Sequence, residues 1–359
     1  MVDIAVNKVT NPGVLPNREK LGFGTYFSDH MFVMDYKTTK GWYDPRIVPY
    51  DQFLLYPSAM VYHYGQAIFE GMKAFRNLHN EVVIFRTMDH LNRFNHSADI
   101  LCIPQMDTTV LHQGLTQLIE LDKRWVPEKL GTSLYIRPFV IATDPYVGVK
   151  VSDTYMLFII LSPSGAYYAA GFNPVNIMVE DHYVRAVPGG TGEAKTGGNY
   201  ASSLVAQAQA AQKGCDQVVW LDAVEHRWIE EMGTNNMYFV YGSGPSARIM
   251  TPALTGTLLP GVVRDSLLTV AKDLGYSVDE GRISTDEWQA ECASGGITEV
   301  FGCGTAAVIT PIGEVRSAAA DWTIADGRPG PITMQLRNAL LDVQTGHAPD
   351  AHGWMHTLV

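Results

Sequence analysis

The sequence predicts a mixed α/β protein of two domains, and three observations support that prediction. The chain has 359 residues, a length typical of about two domains, each large enough for its own core. Short apolar runs separated by turn residues fill residues 21–85, as in antiparallel strands and hairpins. Apolar residues recur with helical spacing over 88–101, 108–123 and 257–275, so helices accompany the strands.

Residues 162–174 are rich in glycine, proline and small side chains, which is typical of a linker. We therefore predict a small N-terminal domain over residues 1–163, an interdomain loop over 164–175 and a larger domain over 176–359.

Within the first domain, residues 133–142 form a strand-like run that contains Arg137, and the helix-like segment 88–101 contains Arg93. An arginine inside a buried strand is costly unless it faces a site. In the second domain the helix over 257–275 starts with Pro-Gly and ends at Gly275.

The net charge is −11 and the isoelectric point is about 5.4, which argues against nucleic acid or an anionic membrane as a partner. The longest apolar run, residues 155–161, is far too short to span a bilayer. The first residues lack the basic and apolar segments of a signal peptide. We therefore expect a cytoplasmic protein with small-molecule ligands.

The most informative stretch is residues 187–200, in which Lys195 stands among glycines after a strand-like run and before a helix-like run. Glycines let the backbone approach a ligand closely, and the start of a helix offers free N–H groups. One interpretation is a nucleotide-binding P-loop, but Ala194 replaces the glycine that the Walker A pattern requires before its lysine. The other is a Schiff-base lysine, which must lose its charge near neutral pH.

Three further groups of residues could bind a ligand or a metal ion. The backbone amides of Val262 and Val263 fall at a predicted helix start, a natural phosphate seat. Adjacent carboxylates stand at Glu230 and Glu231 between apolar runs, where each needs a partner. Three histidines (His347, His352 and His356) lie in the C-terminal tail without a carboxylate geometry to fix them, so we predict no metal site.

Six motifs, in this order, resemble branched-chain-amino-acid aminotransferases. They are residues 69–75 (FEGMKAF), 135–138 (YIRP), 195–200 (KTGGNY), 231–237 (EMGTNNM), 259–264 (LPGVVR) and 302–306 (GCGTA). The resemblance runs from about residue 22 to residue 355, and ordered motifs over most of a chain are more specific than any single one.

The resemblance implies a pyridoxal 5'-phosphate enzyme of fold type IV, similar to D-amino-acid aminotransferase. Such an enzyme has a small α/β N-terminal domain and a larger C-terminal domain built on a β-barrel-like core, and forms a homodimer. It moves the amino group of leucine, isoleucine or valine to 2-oxoglutarate, in branched-chain amino-acid biosynthesis or degradation.

The same resemblance assigns roles to individual residues. Lys195 would be the catalytic residue and bind the cofactor aldehyde, Glu231 would keep the pyridine nitrogen protonated, and Tyr200 would contact the phenolate oxygen. The other implied cofactor-binding residues are Arg93, Thr234, Val262, Val263 and Thr305. The implied substrate-binding residues are Phe23, Tyr64, Phe69, Tyr135, Arg137, Tyr167, Thr305 and Ala306.

Rival hypotheses remain at this point. Within the fold, D-amino-acid aminotransferases and aminodeoxychorismate lyases share the lysine and the glutamate, although residues 69–73 and the C-terminal motifs resemble them less. Outside it, the chain could be a P-loop nucleotide binder or a scaffold without catalysis.

Overall fold

The structure is a computed structural model that describes residues 2–129, 131–165 and 173–358. In these ranges the β-strands are β1 (Ala5–Val6), β2 (His30–Lys37), β3 (Gly41–Pro49), β4 (Ala67–Phe69), β5 (Met72–Arg76), β6 (Val82–Phe85), β7 (Ser133–Ala142), β8 (Thr154–Ser164), β9 (Val175–Glu180), β10 (Gln217–Leu221), β11 (Ile229–Met232), β12 (Asn235–Tyr241), β13 (Arg248–Pro252), β14 (Ser277–Gly281), β15 (Ile297–Gly304), β16 (Val308–Arg316), β17 (Asp321–Thr323) and β18 (Met355–Thr357). The α-helices are α1 (Met60–Tyr64), α2 (Thr87–Ile100), α3 (Thr108–Leu121), α4 (Gly197–Ala201), α5 (Leu204–Gln212), α6 (Val262–Asp273), α7 (Thr285–Ser294) and α8 (Pro331–Thr345).

The chain divides into two compact units. Unit 1 consists of Met1–Ala169, Ala194–Gly197 and Val343–Val359, and unit 2 consists of Ala170–Glu193 and Gly198–Asp342. The lysine segment and the C-terminal tail thus group with unit 1, although they follow most of unit 2 or interrupt it. The predicted interdomain loop 164–175 contains residues 166–172, which lie outside the described residues, so its role stays a prediction.

Unit 1 is built on a mixed sheet with the strand order β1-β3-β2-β8-β7-β5-β6-β18, and β4 also pairs with β7. Side chains alternate along β7, so Leu134 and Ile136 enter the core beneath α2 and α3 while Tyr135 and Arg137 face the opposite side. Lys73 of β5 is the register partner of Tyr135 and shares its face. One face of this sheet therefore holds the core, and the other carries the polar and aromatic site candidates.

Unit 2 contains a closed ring of strands in the order β11-β10-β9-β16-β15-β12, because β12 pairs back onto β11. Strands β9 and β10 run parallel and are buried along most of their length, as expected of a barrel wall covered by helices. The predicted mixed α/β fold is confirmed, as is the prediction of a β-barrel-like core in the C-terminal part. No helix in the described part of the chain is long and apolar enough to cross a membrane.

Candidate active site

The backbone of Lys195 is docked between strand β4 and helix α2 of unit 1. The N–H of Phe69 donates to the carbonyl of Lys195 at 2.9 Å, and the Thr196 hydroxyl donates to the Ala67 carbonyl at 2.7 Å. On the other side, the N–H of Lys195 donates to the Ser97 hydroxyl at 2.9 Å. The backbone N–H and the backbone carbonyl of Lys195 are therefore both hydrogen-bonded to other parts of unit 1. This arrangement does not favour the P-loop interpretation, in which the loop amides face phosphate.

The side chain of Lys195 is partly buried, and its Nζ lies 4.9 Å from the centroid of the Phe69 ring. The ring of Phe69 therefore covers one side of the amine and helps to fix its position.

Arg93 is buried on α2 and is held by a carboxylate from the turn that follows β4. Its Nε lies 2.9 Å and its Nη2 2.6 Å from the two oxygens of Glu70, which is a bidentate ion pair. Burial alone would raise the pKa of Glu70, but Arg93 and a hydrogen bond from His90 outweigh it and hold that pKa well below its usual range. Burial lowers the pKa of His90, so that ring stays neutral at physiological pH.

Four predicted substrate contacts come together on the face of the unit 1 sheet that Tyr135 and Arg137 share. The ring of Phe23 packs edge-on against Tyr135 at 4.8 Å, and the guanidinium of Arg137 lies 4.7 Å from the Phe69 ring centroid. Arg137 also donates from Nη2 to the Tyr135 hydroxyl at 3.1 Å. Among the described residues Arg137 forms no ion pair, and its Nε has no hydrogen-bond partner. The cluster thus combines an aromatic wall with a cation that lacks a carboxylate counterpart.

Gly71 is the position that leaves room for the Tyr135 hydroxyl. A Cβ added at Gly71 would lie 2.0 Å from that oxygen and 2.8 Å from the ring carbon that bears it. Replacement of Gly71 by alanine is therefore expected to displace Tyr135. If Tyr135 contacts the substrate, as the resemblance implies, the KM for the implied amino-acid substrate should rise roughly tenfold, about 1.4 kcal/mol of binding. Steady-state kinetics test this, with Gly281→Ala as the control, because a Cβ there meets only ordinary contact with Met250 at 3.9 Å. An unchanged KM in the Gly71 variant would contradict the assignment of Tyr135.

Tyr64, another predicted substrate contact, is not part of this cluster. Tyr64 is exposed at the end of α1, and its hydroxyl donates to the carbonyl of Val147 in the loop after β7. Tyr167 lies outside the described residues. Their assignment to the substrate pocket stays a prediction.

Glu231 is buried on β11 of unit 2 and is anchored to the turn before α6. Its Oε1 accepts from the Leu259 N–H at 2.6 Å and from the Asn236 amide at 3.4 Å. Its Oε2 lies 3.3 Å from the Nε of Arg185 in an ion pair without hydrogen-bond geometry. Arg185 thus places a buried cation beside the Glu231 carboxylate.

Helix α6 begins at Val262 and Val263, as predicted, with Gly261 as its N-cap. A Cβ at Gly261 would lie 2.1 Å from Oδ1 of Asn236, so only glycine permits the close approach of this helix start to the Glu231 anchor. Both valines are buried and occupy the first turn, where backbone N–H groups attract anions.

The remaining predicted cofactor contacts, and the predicted substrate contact Ala306, lie at turns or short elements of unit 2. Thr305 and Ala306 stand in the partly buried turn between β15 and β16, Thr234 in the turn between β11 and β12, and Tyr200 on α4. The helix-like run that follows the lysine segment, residues 201–212, is interrupted, because α4 ends at Ala201 and α5 begins at Leu204.

Sequence reasoning missed the residues that hold these groups in place. They are Glu70, Ser97, Arg185 and Asn236. Glu70 carried a signal, since it is a charge inside an otherwise apolar strand region. The other three could not have been recognised, because their partners are at least five residues and up to 98 residues away in sequence.

Lys73 is buried on β5, and burial lowers its pKa from 10.5 to about 8. Between pH 8 and pH 10.5 the Lys73 amine is protonated in the unfolded chain but not in the folded chain. The free energy of unfolding therefore increases as the pH rises through this range. Lys73→Met is therefore expected to be more stable than the wild type at pH 7, with a difference that shrinks as the pH rises to 10.5. Urea unfolding at several pH values measures the difference, and Lys213→Met, at an exposed lysine, is the control. A difference independent of pH would contradict the effect of burial.

Comparison with known proteins identifies related chains. The family model for class IV amino-transferases matches residues 67–315. The chain is 52% identical to a branched-chain-amino-acid aminotransferase of Mycolicibacterium smegmatis, with 99% of this chain and 98% of that protein aligned. It is 49% identical to branched-chain-amino-acid aminotransferase 2 of Bacillus subtilis, with 94% of this chain and 92% of that protein aligned.

Solved structures agree with these relatives. The branched-chain aminotransferase of Thermoproteus uzoniensis with norvaline is similar with a TM-score of 0.75 and 26% identity, over 92% of this chain and 100% of that one. A branched-chain amino acid aminotransferase from T.th. with pyridoxamine 5'-phosphate is similar with a TM-score of 0.74 and 26% identity, over 91% of this chain and 98% of that one.

Proposed function

Because the chain belongs to the class IV aminotransferase family, we propose that it transfers the amino group of leucine, isoleucine or valine to 2-oxoglutarate, with Lys195 as the catalytic amine. The resemblance predicted from its motifs is confirmed by relatives that align over nearly the whole chain. The enzyme is a branched-chain-amino-acid transaminase of the pyridoxal-phosphate-dependent kind. The acceptor, the direction of transfer and the roles of single residues belong to the proposal.

Pyridoxal phosphate, when bound, supplies an aldehyde that condenses with amines and a pyridinium ring that withdraws electrons from the substrate. The residues present fit each of its groups. The amides at the start of α6 and the guanidinium of Arg93 suit a phosphate. The anchored carboxylate of Glu231 suits a protonated ring nitrogen, because a nearby anion stabilises that proton. Tyr200, Thr234 and Thr305 would add hydroxyl contacts.

Lys195 would hold the cofactor through its Nζ. The same amine would act as the general base for the proton on the substrate Cα. The docked backbone and the partly buried side chain support this role, because a general base works only from a fixed position near the group that it deprotonates.

The substrate site must accept an aliphatic side chain in one half-reaction and a second carboxylate in the other. Phe23, Phe69 and Tyr135 would contact the aliphatic group, whose burial contributes roughly 2–3 kcal/mol. Arg137 would bind the distal carboxylate, since it forms no ion pair within the described residues. The amides of Thr305 and Ala306 would bind the α-carboxylate.

The observation that carries the proposal is the docked Lys195 in a chain about half identical to branched-chain aminotransferases. Incubation of the purified protein with leucine and 2-oxoglutarate should yield glutamate and the branched oxo acid. The panel should include isoleucine, valine, alanine and D-alanine. Faster turnover of D-alanine than of all three branched substrates would contradict the proposal.

The predicted homodimer is part of the proposal. The exposed apolar side chains of unit 1 include Leu54 (96% exposed), Tyr56 (72%) and Val149 (83%). Hydrogen bonds from the Met60 N–H to the Asp144 carbonyl and from the Tyr64 hydroxyl to the Val147 carbonyl join the parts of the chain that follow Tyr56 and precede Val149. Exposed apolar side chains that lie near one another are typical of a protein interface. The expected cytoplasmic location stays a prediction.

Leu54→Glu is expected to convert the homodimer to a monomer, because a carboxylate would be buried without a partner at the apolar contact. Size-exclusion chromatography with light scattering gives the mass directly. Val224→Glu is the matched control, since Val224 is also exposed (73%) but belongs to unit 2. A Leu54 variant that remains a dimer would place the interface elsewhere.

A further inference from the structure

Helix α2 carries two residues of the candidate site, Arg93 and Ser97. Arg93 and Ser97 are four residues apart and therefore lie on the same face of the helix, one turn from each other. Arg93 is clamped by Glu70, and Ser97 accepts the N–H of Lys195 at 2.9 Å. Ser97 is completely buried.

The opposite side of the lysine is fixed by the chain that leads into Glu70. Phe69 donates its N–H to the Lys195 carbonyl at 2.9 Å, and Glu70 follows it directly. Lys195 and Arg93 are thus both held by the same two parts of unit 1, which are helix α2 and the dipeptide Phe69-Glu70. A movement of α2 relative to this dipeptide would therefore change the position of Lys195 relative to Arg93.

Several residues of the segment that carries the lysine have no hydrogen-bonding side chain. They are Ala194 on one side and Gly197 and Gly198 after Thr196. Glycine also gives the backbone more freedom than any other residue. Ser97 supplies a side-chain support from outside this segment, directly at the N–H of the lysine.

We propose that Ser97 is a positioning residue for transamination, which holds the Lys195 backbone in register with Arg93 through helix α2. Ser97 would act through Lys195, whose backbone N–H it accepts. The inference rests on the proposed function for its kinetic consequence, but the hydrogen bond itself can be tested in the protein without cofactor. A misplacement of about 1 Å can lower the rate of a positioned reaction roughly a hundredfold.

The experiment compares Ser97→Ala with Ser97→Thr, which keeps the hydroxyl. In the cofactor-free protein, amide hydrogen exchange over residues 194–197 is expected to be roughly tenfold faster in Ser97→Ala, because one buried hydrogen bond is lost. In the cofactor-loaded enzyme, kcat with leucine is expected to fall between about ten- and a hundredfold with KM changed less than threefold. Ser97→Thr should restore both quantities to within a few fold of the wild type.

Ser28→Ala is the control, because Ser28 is a buried serine of unit 1 that donates to the backbone carbonyl of His30. It should leave exchange at 194–197 and kcat unchanged. The inference would be overturned if Ser97→Ala had the same amide exchange rates over residues 194–197 and the same kcat as the wild type. It would also be overturned if Ser28→Ala lowered kcat as much as Ser97→Ala. If Ser97→Ala is insoluble, Ser97→Cys takes its place with the same expectations, since a thiol accepts weakly. A wild-type protein without transaminase activity would defeat the proposed function, whereas the exchange measurement would still decide whether Ser97 holds the lysine.

Discussion

Lys195→Ala is expected to lower kcat for leucine by roughly 10⁴-fold or more, because it removes both a nucleophile and a general acid–base group. The fold should survive, since the Lys195 segment is held by backbone hydrogen bonds to Phe69 and Ser97 and by the Thr196 hydroxyl. Alanine keeps all of these contacts. The variant should still bind pyridoxal phosphate, because Arg93 and the start of α6 are untouched.

Stopped-flow measurement of a single half-reaction separates the loss of chemistry from a loss of binding. Lys213→Ala is the control, since Lys213 is an exposed lysine that follows α5. It should retain full activity. Turnover of Lys195→Ala within tenfold of the wild type would show that another group carries the proton.

Glu231→Gln is expected to lower kcat roughly 10²–10³-fold, the range for loss of one preorganised electrostatic contact at a reacting group. Glutamine has the size of glutamate and can still accept from the Leu259 N–H, so the local structure is preserved. What is lost is the negative charge that would keep the cofactor ring nitrogen protonated. The loss should appear in kcat, with little change in the KM for leucine.

The neighbouring carboxylate supplies a matched control. Glu230 is buried like Glu231, but its Oε1 accepts from the Thr257 hydroxyl, and burial raises its pKa. Glu230→Gln removes a carboxylate one residue away and is expected to change kcat less than fivefold. Equal losses of kcat in Glu230→Gln and Glu231→Gln would mean that the total negative charge of β11 matters. Glu231 would then have no specific role.

The fold and the positions of several site residues could be predicted because local patterns determine them. The Pro-Gly that precedes α6 correctly placed Val262 and Val263 in its first turn. The alternation along β7 put Tyr135 and Arg137 on one face. Ordered motifs identified the family, since they sample most of the chain.

Long-range partners could not be predicted from the same patterns. No local rule connects Ser97 with Lys195 or Glu70 with Arg93, which meet only after the sheet and α2 have packed. The interruption between α4 and α5 was also missed, because residues 201–212 are mostly good helix formers. Sequence patterns therefore identified groups that would touch ligands but missed most of the residues that support them.

The most direct test of the account is covalent labelling of the catalytic lysine. The purified protein, loaded with pyridoxal phosphate and reduced with borohydride, is digested and analysed by mass spectrometry. The account predicts one phosphopyridoxyl group per chain, attached to Lys195, with the label abolished by prior addition of leucine. A label on another lysine such as Lys73, or no covalent label at all in a protein that transaminates leucine, would contradict it.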